Sequence, residues 1–309
     1  MQVILFLESL GVDRQVVQRL VADAGLPFTA VWGDRRQIEN PDDVVAYVTV
    51  RDPIRDEMFD HFPNARVISV AFTGFDTIDL DACRQRGIAV YNVPHYSTDS
   101  VAELTIALTI CLLRDIPRRD QRLRAGIWKS ERWGTELAGK TVGIVGTGAI
   151  GLRAAELFKA FRCELLGWSR TERDAFADLG GMYVAWDDLF SRSDVVSLHI
   201  PLSFETEHLV GGRELGLMKP GACLINTARG KLVDKAALVH VLGNGHIRAA
   251  LDVFDQEPIP QDDPLFEPGN TLLTPHIAFK TDEALLRRAQ MTVRNIKWFL
   301  EGSDENRIV

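Results

Sequence analysis

The run TVGIVGTGAIG, residues 141–151, decides how the rest of this 309-residue chain is read. A β-type stretch, Thr141 to Val145, leads straight into Gly146-Thr147-Gly148-Ala149-Ile150-Gly151. A helical stretch follows, with Leu152, Ala155 and Phe158 placed to pack on a sheet. Each glycine of this G-x-G-x-x-G has a physical task. Gly146 permits a tight turn, Gly148 lets the backbone approach a pyrophosphate, and Gly151 lets the helix lie close to the strand. The helix N-terminus, at Ala149 and Ile150, supplies backbone N–H groups and the positive end of a dipole. Because strand, loop and helix stand in the required order, the run reads as a dinucleotide-binding turn rather than a loop without chemical consequence.

About twenty residues further on, such a turn calls for an acid at the end of the next strand, to hold the adenosine ribose. Here the strand ELLGW (164–168) is followed by Ser169, Arg170 and, two residues later, Glu172 and Arg173. Serine and arginine offer a 2′-phosphate a hydrogen bond and a charge-assisted fork, whereas an acid would repel it. NADP(H) is favoured on this reading and NAD(H) stays open, with Glu172 or Asp174 as the alternative ribose contact.

Outward from this run, short β-rich segments alternate with helical ones: residues 3–7, 44–50, 66–72, 88–92, 141–146, 164–168, 194–200, 222–226, 249–254 and 271–276. That alternation is the pattern of parallel α/β folding, and the runs without period-two polarity read as strands covered on both faces. One long helix is marked by Ser100 and Glu103 in S-x-x-E spacing and closes at Pro117; a second begins near Thr281 with Asp282 and Glu283. Along it, Leu285, Ala289, Val293, Ile296 and Leu300 fall on one face.

Length alone suggests two domains. Lys+Arg 35 against Asp+Glu 43 gives a net charge of -8 and no basic run for a phosphodiester, so nucleic acid is not expected as a partner. Cys83, Cys111, Cys163 and Cys223 are far apart, with no metal or redox pair, which fits a reducing cytoplasm. The apolar start MQVILFLESLG lacks a basic leader, and the run 104–113 contains two threonines. Neither reads as a signal peptide or a membrane span.

Three further segments put polar residues at the ends of apolar strands, where open α/β sheets bind ligands: NTARGKLVD with Arg229, AALDVFDQEP with Asp252 and Glu257, and TPHIAFKT with His276. Taken singly, each has a bland reading as a turn ion pair or loop charge. Together, and with AFTGFDTIDLDACRQRGIAVYNVPHYSTDSVAELTIALTICLLR (71–114) ahead of the glycine loop, they resemble the D-isomer-specific 2-hydroxyacid dehydrogenase family from about residue 44 onward.

That resemblance implies two Rossmann-like or flavodoxin-like domains with parallel sheets and an active site in the cleft between them. The substrate domain would comprise residues 1–98 and 282–309, and the dinucleotide domain residues 99–281. It further implies that Arg229, Glu257 and His276 form the catalytic trio. Histidine titrates near working pH and suits proton delivery; a hydrogen-bonded Glu257 would stabilise the imidazolium; Arg229 would clamp a carboxylate and polarise a keto oxygen. Phe72, Thr73, Gly74 and Tyr96 would line the substrate, and Thr206, Thr227 and Asp252 would join the cofactor site, with no metal. His199, on an apolar strand end, reads as structural or adenosine-side packing.

Within the family, Glu257 argues against formate dehydrogenases, which pair the histidine with glutamine, and Thr73 against phosphite dehydrogenases, which carry lysine there. Tyr96 and Phe279 look like the D-lactate dehydrogenase branch, and Ser169-Arg170 like glyoxylate/hydroxypyruvate reductases. The expectation is an enzyme reducing a small 2-keto acid such as glyoxylate, hydroxypyruvate or pyruvate. A dinucleotide-sensing corepressor of the same fold is the other class that stays open. By resemblance the chain forms a homodimer through its cofactor domain; Trp128 and Trp133, ahead of the glycine strand, read as core or surface packing, with contact to a partner subunit as the alternative.

Overall fold

Runs that are largely apolar without period-two alternation have both faces to bury, and in the computed structural model they become the central strands of two sheets, buried along their length. Residues 2–34, 38–129 and 133–309 are described. The chain divides into two units, Met1–Ser97 with Lys280–Val309, and Thr98–Phe279.

The first unit runs β1 (Val3–Phe6), α1 (Arg14–Asp23), β2 (Thr29–Trp32), β3 (Val44–Thr49), α2 (Asp56–His61), β4 (Val67–Val70), α3 (Leu80–Arg86) and β5 (Ala89–Tyr91). Its strands are all parallel, in the order β2-β1-β3-β4-β5. Successive side chains part to opposite faces: Ile4 and Phe6 join Ala46 and Val48 in one apolar cluster, while Leu5 joins Tyr47, Ile68 and Val70 in the other.

The second unit begins with α4 (Thr98–Arg114) and α5 (Ile116–Arg124), then β6 (Thr141–Val145), α6 (Ala149–Ala160), β7 (Glu164–Trp168), α7 (Asp174–Asp178), β8 (Met182–Tyr183) and α8 (Trp186–Arg192). It continues with β9 (Val195–Leu198), α9 (Gly212–Leu217), β10 (Cys223–Asn226), α10 (Lys235–Gly243), β11 (Arg248–Leu251) and β12 (Thr271–Leu273). The parallel sheet has the order β12-β11-β10-β9-β6-β7-β8, so the strand order reverses between β6 and β9. That switch point is where such sheets receive a ligand. The chain then returns to the first unit through α11 (Asp282–Glu301), whose Thr281 hydroxyl accepts the Ala284 N–H at 3.2 Å.

Several local expectations need correction. Strands β2 and β8 were not anticipated; both are sheet edges of mixed exposure, too short and too polar in pattern to read as apolar runs. Ser100 is not an N-cap: α4 starts at Thr98, and the buried Ser100 hydroxyl donates to the Ala278 carbonyl. Pro117 opens α5 instead of closing a helix, since proline in the first turn sacrifices no helical hydrogen bond. Leu300 is 48% exposed in the last turn of α11; of the core and surface readings of Trp128 and Trp133, exposures of 85% and 97% exclude the core and leave the surface. Among the described residues, no helix is long and apolar enough to cross a membrane.

Candidate active site

All strands of the second sheet are parallel, so the segments after β6, β7, β9, β10, β11 and β12 leave the same edge. The glycine loop follows β6. Gly146 takes φ +95°, where a side chain would be strained, and its N–H donates to the Trp168 carbonyl at 2.7 Å, tying the loop to the end of β7. A Cβ on Gly151 would fall 1.9 Å from the Gly146 carbonyl oxygen, so only glycine permits α6 to sit this close to the loop. Gly148, the N-cap of α6, has open space where a Cβ would point, and no side chain caps this helix or places an acid in its first turn. Bare N–H groups, open space and a positive dipole end are what a pyrophosphate requires, so the residues fit a dinucleotide.

Ser169 is half-buried and Arg170 and Arg173 are exposed on the segment after β7. The other expected cofactor residues make bonds within the protein. Thr206 accepts the Ser203 N–H and donates to the Pro201 carbonyl, both at 2.7 Å, closing the loop after β9. The Thr227 hydroxyl is buried 3.2 Å from that of Thr105 on α4. His199 shares a 2.9 Å hydrogen bond with the buried Ser197, and burial pushes its pKa down to about 4, so the ring is neutral.

Arg229 follows β10. Asn226, fully buried at the strand end, donates to the Arg229 carbonyl at 2.8 Å and accepts the Ala228 N–H at 3.0 Å, fixing the turn that presents the guanidinium. The next residue, Gly230, lies so close to the segment after β11 that a Cβ would stand 2.1 Å from the Phe254 carbonyl carbon. That segment leads to Glu257, whose Oε1 accepts the Phe254 N–H at 3.2 Å. Its Oε2 lies 2.6 Å from His276 Nδ1, on the turn after β12. A carboxylate can only accept, so Nδ1 carries the hydrogen of this bond. The His276 side chain is 15% exposed and that of Glu257 25%.

His276 itself takes φ +51°, uncommon outside glycine. Asp252, wholly buried, holds the turn in place: one oxygen accepts the Thr274 hydroxyl at 2.6 Å and the Ile277 N–H at 2.9 Å, the other the Ala278 N–H at 2.8 Å. The Phe279 ring meets the imidazole edge to face at 5.5 Å.

In the first unit, Phe72, Thr73 and Gly74 form the bend after β4, pinned by Asn92, which donates to the Thr73 carbonyl at 2.8 Å. The Phe72 ring lies 6.2 Å from that of Tyr96, and the Arg51 guanidinium stands over Phe72 at 5.8 Å. Tyr96 is buried beside Arg288, and burial raises its phenol pKa. Asn226 and Gly230 were missed as site residues. Their signal was present, an amide at a strand end and a glycine after the arginine, but it takes on meaning only once the neighbouring strand is known.

A doubly wound parallel sheet with a bare glycine loop at its switch point, and a histidine–carboxylate pair at the same edge, is the arrangement of a dinucleotide-binding domain with an acid–base pair at its ligand edge. Residues 106–278 match the family model described as "D-isomer specific 2-hydroxyacid dehydrogenase, NAD binding domain". A glyoxylate reductase of Aeropyrum pernix is 41% identical over 266 residues, 83% of this chain and 79% of that protein. One from Thermococcus litoralis is 40% identical over 86% of this chain and 83% of its own length. The crystal structure of the D-lactate dehydrogenase of Aquifex aeolicus, complexed with NAD and lactic acid, superposes with TM-score 0.86 at 32% identity, covering 99% of both chains. The chain therefore belongs to the D-isomer-specific 2-hydroxyacid dehydrogenase family and is a nicotinamide-dependent 2-keto acid reductase.

Proposed function

We propose that the enzyme reduces a small 2-keto acid of the glyoxylate, hydroxypyruvate or pyruvate class to the D-2-hydroxy acid, with NADPH preferred over NADH. The observation that carries the mechanism is the 2.6 Å bond between Glu257 and His276 Nδ1. The cofactor, held by the glycine loop and the α6 N-terminus, supplies hydride to the keto carbon when bound. Arg229 binds the substrate carboxylate and polarises the keto oxygen. His276 gives its Nε2 proton to that oxygen as negative charge develops there. Glu257 keeps the ring oriented and balances the imidazolium before the transfer. Asp252, reached by three donors of the His276 turn, positions the acid. Backbone N–H groups at Thr73 and Gly74, with Phe72 and Tyr96 nearby, complete substrate recognition.

The glyoxylate reductases at about 40% identity, and a hydroxypyruvate reductase of Blautia hydrogenotrophica at 33%, favour substrates with a very small side chain. Preference for NADPH is supported by Ser169 at the position where an acid would bind the free ribose, with the exposed Arg170 and Arg173 following it on the same segment. The homodimer reading is supported by Trp128 and Trp133, two large exposed apolar surfaces on the second unit. The cytoplasmic reading is supported by four free cysteines, three of them buried with thiol pKa values pushed up to about 11.

The test is a panel of glyoxylate, hydroxypyruvate and pyruvate against both reduced cofactors, followed by absorbance. Turnover highest with NADPH and the smaller acids supports the reading. Binding of NADPH without turnover of any of them overturns it. Arg170→Ala should raise the KM for NADPH about tenfold more than that for NADH, the worth of one charge-assisted contact.

A further inference from the structure

Tyr183 enters none of the motifs above. It ends β8, the edge strand beside β7, and its half-buried ring packs on Phe176 at 5.1 Å. The phenol oxygen lies 2.7 Å from the Thr147 hydroxyl and accepts the Arg173 N–H at 2.9 Å. Thr147 is fully buried between the first two glycines of the loop, and Arg173 ends the segment that begins at Ser169. One hydroxyl thus joins the glycine loop to the segment after β7, the segment that the NADP reading sets against the adenosine 2′ position. Its platform is tight. A Cβ on Gly167 or Gly181 would come within 2.5 or 2.4 Å of Phe176, so the ring beneath Tyr183 fills the space between these backbones.

We propose that Tyr183 is a positioning residue for cofactor choice: it fixes where the Ser169–Arg173 segment stands relative to the glycine loop, and so sets how strongly a 2′-phosphate is favoured over a free 2′-hydroxyl. Arg170 and Arg173 are long, exposed side chains whose reach to a small dianion depends on where their backbone is anchored, and the anchor at Arg173 is this phenol. The inference rests on the NADP reading above.

The experiment is calorimetric binding of adenosine 2′,5′-bisphosphate and adenosine 5′-monophosphate to the wild-type protein and to Tyr183→Phe, with thermal melts of both proteins. Loss of one net hydrogen bond should cut the preference for the bisphosphate by about 3- to 10-fold while affinity for the monophosphate changes less than about twofold. Equal weakening of both ligands, or an unchanged preference, overturns the proposal. A wild-type protein without preference for the bisphosphate overturns the NADP reading, and this inference with it. Thr147→Val removes the other end of the bridge and should shift the preference in the same direction; it carries the test if Tyr183→Phe fails to fold.

Discussion

Substituting Gly230 by alanine probes the closest approach between the two loops that present Arg229 and Glu257. The added methyl would stand 2.1 Å from the Phe254 carbonyl carbon, 2.4 Å from its oxygen and 2.5 Å from the Asp255 nitrogen, where ordinary contact begins at 3.4 Å. All three are backbone atoms, so no side chain can rotate away, and the loops must part by about 1.3 Å, the gap between 2.1 and 3.4 Å. Arg229 is the adjacent residue, and the Phe254 N–H is a donor to Glu257, so both groups are carried by the displacement. A misplacement near 1 Å costs catalysis about 10²-fold, and kcat/KM for glyoxylate with NADPH should fall by about that factor. The glycine loop on β6 and α6 is not touched, so the Kd for NADPH, read by fluorescence, should stay within about twofold. Circular dichroism establishes that the variant is folded. A folded variant whose kcat/KM stays within about threefold of wild type would refute the reasoning, because the two loops would then tolerate separation.

Three further outcomes are expected. Glu257→Gln retains an acceptor for Nδ1–H but removes the charge that balances the imidazolium, and should lower kcat about 10²-fold with little change in KM; a kcat within a few-fold of wild type would show that orientation alone suffices. Asp252→Asn leaves a buried donor of the His276 turn, such as the Ala278 N–H, facing the NH2 group of the new amide, and should cost about 2 kcal/mol in urea unfolding together with a fall in kcat; unchanged values of both would remove Asp252 from the machinery. His199, with its pKa pushed down to about 4, binds fewer protons folded than unfolded, so stability falls as pH drops from about 6.5 and levels off below about 4. The loss is at most about 3 kcal/mol, and His199→Asn should flatten that part of the urea-midpoint profile; an unaltered profile would assign the acid limb to other groups.

Much of the central architecture was legible because parallel strands buried on both faces leave nearly continuous apolar runs, as in VVSL and CLIN, each with a single buried polar residue. The edge strands β2 and β8 were not, since TAVW and MY bury only part of their surface and merge with the turns around them. Ser100 misled for a related reason. Its spacing to Glu103 has the form of a cap, yet the hydroxyl is used against Ala278, a partner 178 residues away that no local pattern reveals.

For the site, the sequence by itself displayed the glycine loop, whose pattern is written in consecutive residues, while Arg229, Glu257 and His276 were singled out through the family resemblance, each having a bland reading when taken alone. Only the tertiary structure decided how these groups are held. It brought Glu257 and His276 within one hydrogen bond across 19 residues, turned Asp252 into the clamp of the His276 turn, made Gly230 a point of backbone contact and linked Thr147 to Arg173 through Tyr183. The physical reason is that hydrogen bonds and close packing depend on distances set by strand order, and strand order joins segments that lie far apart in the chain.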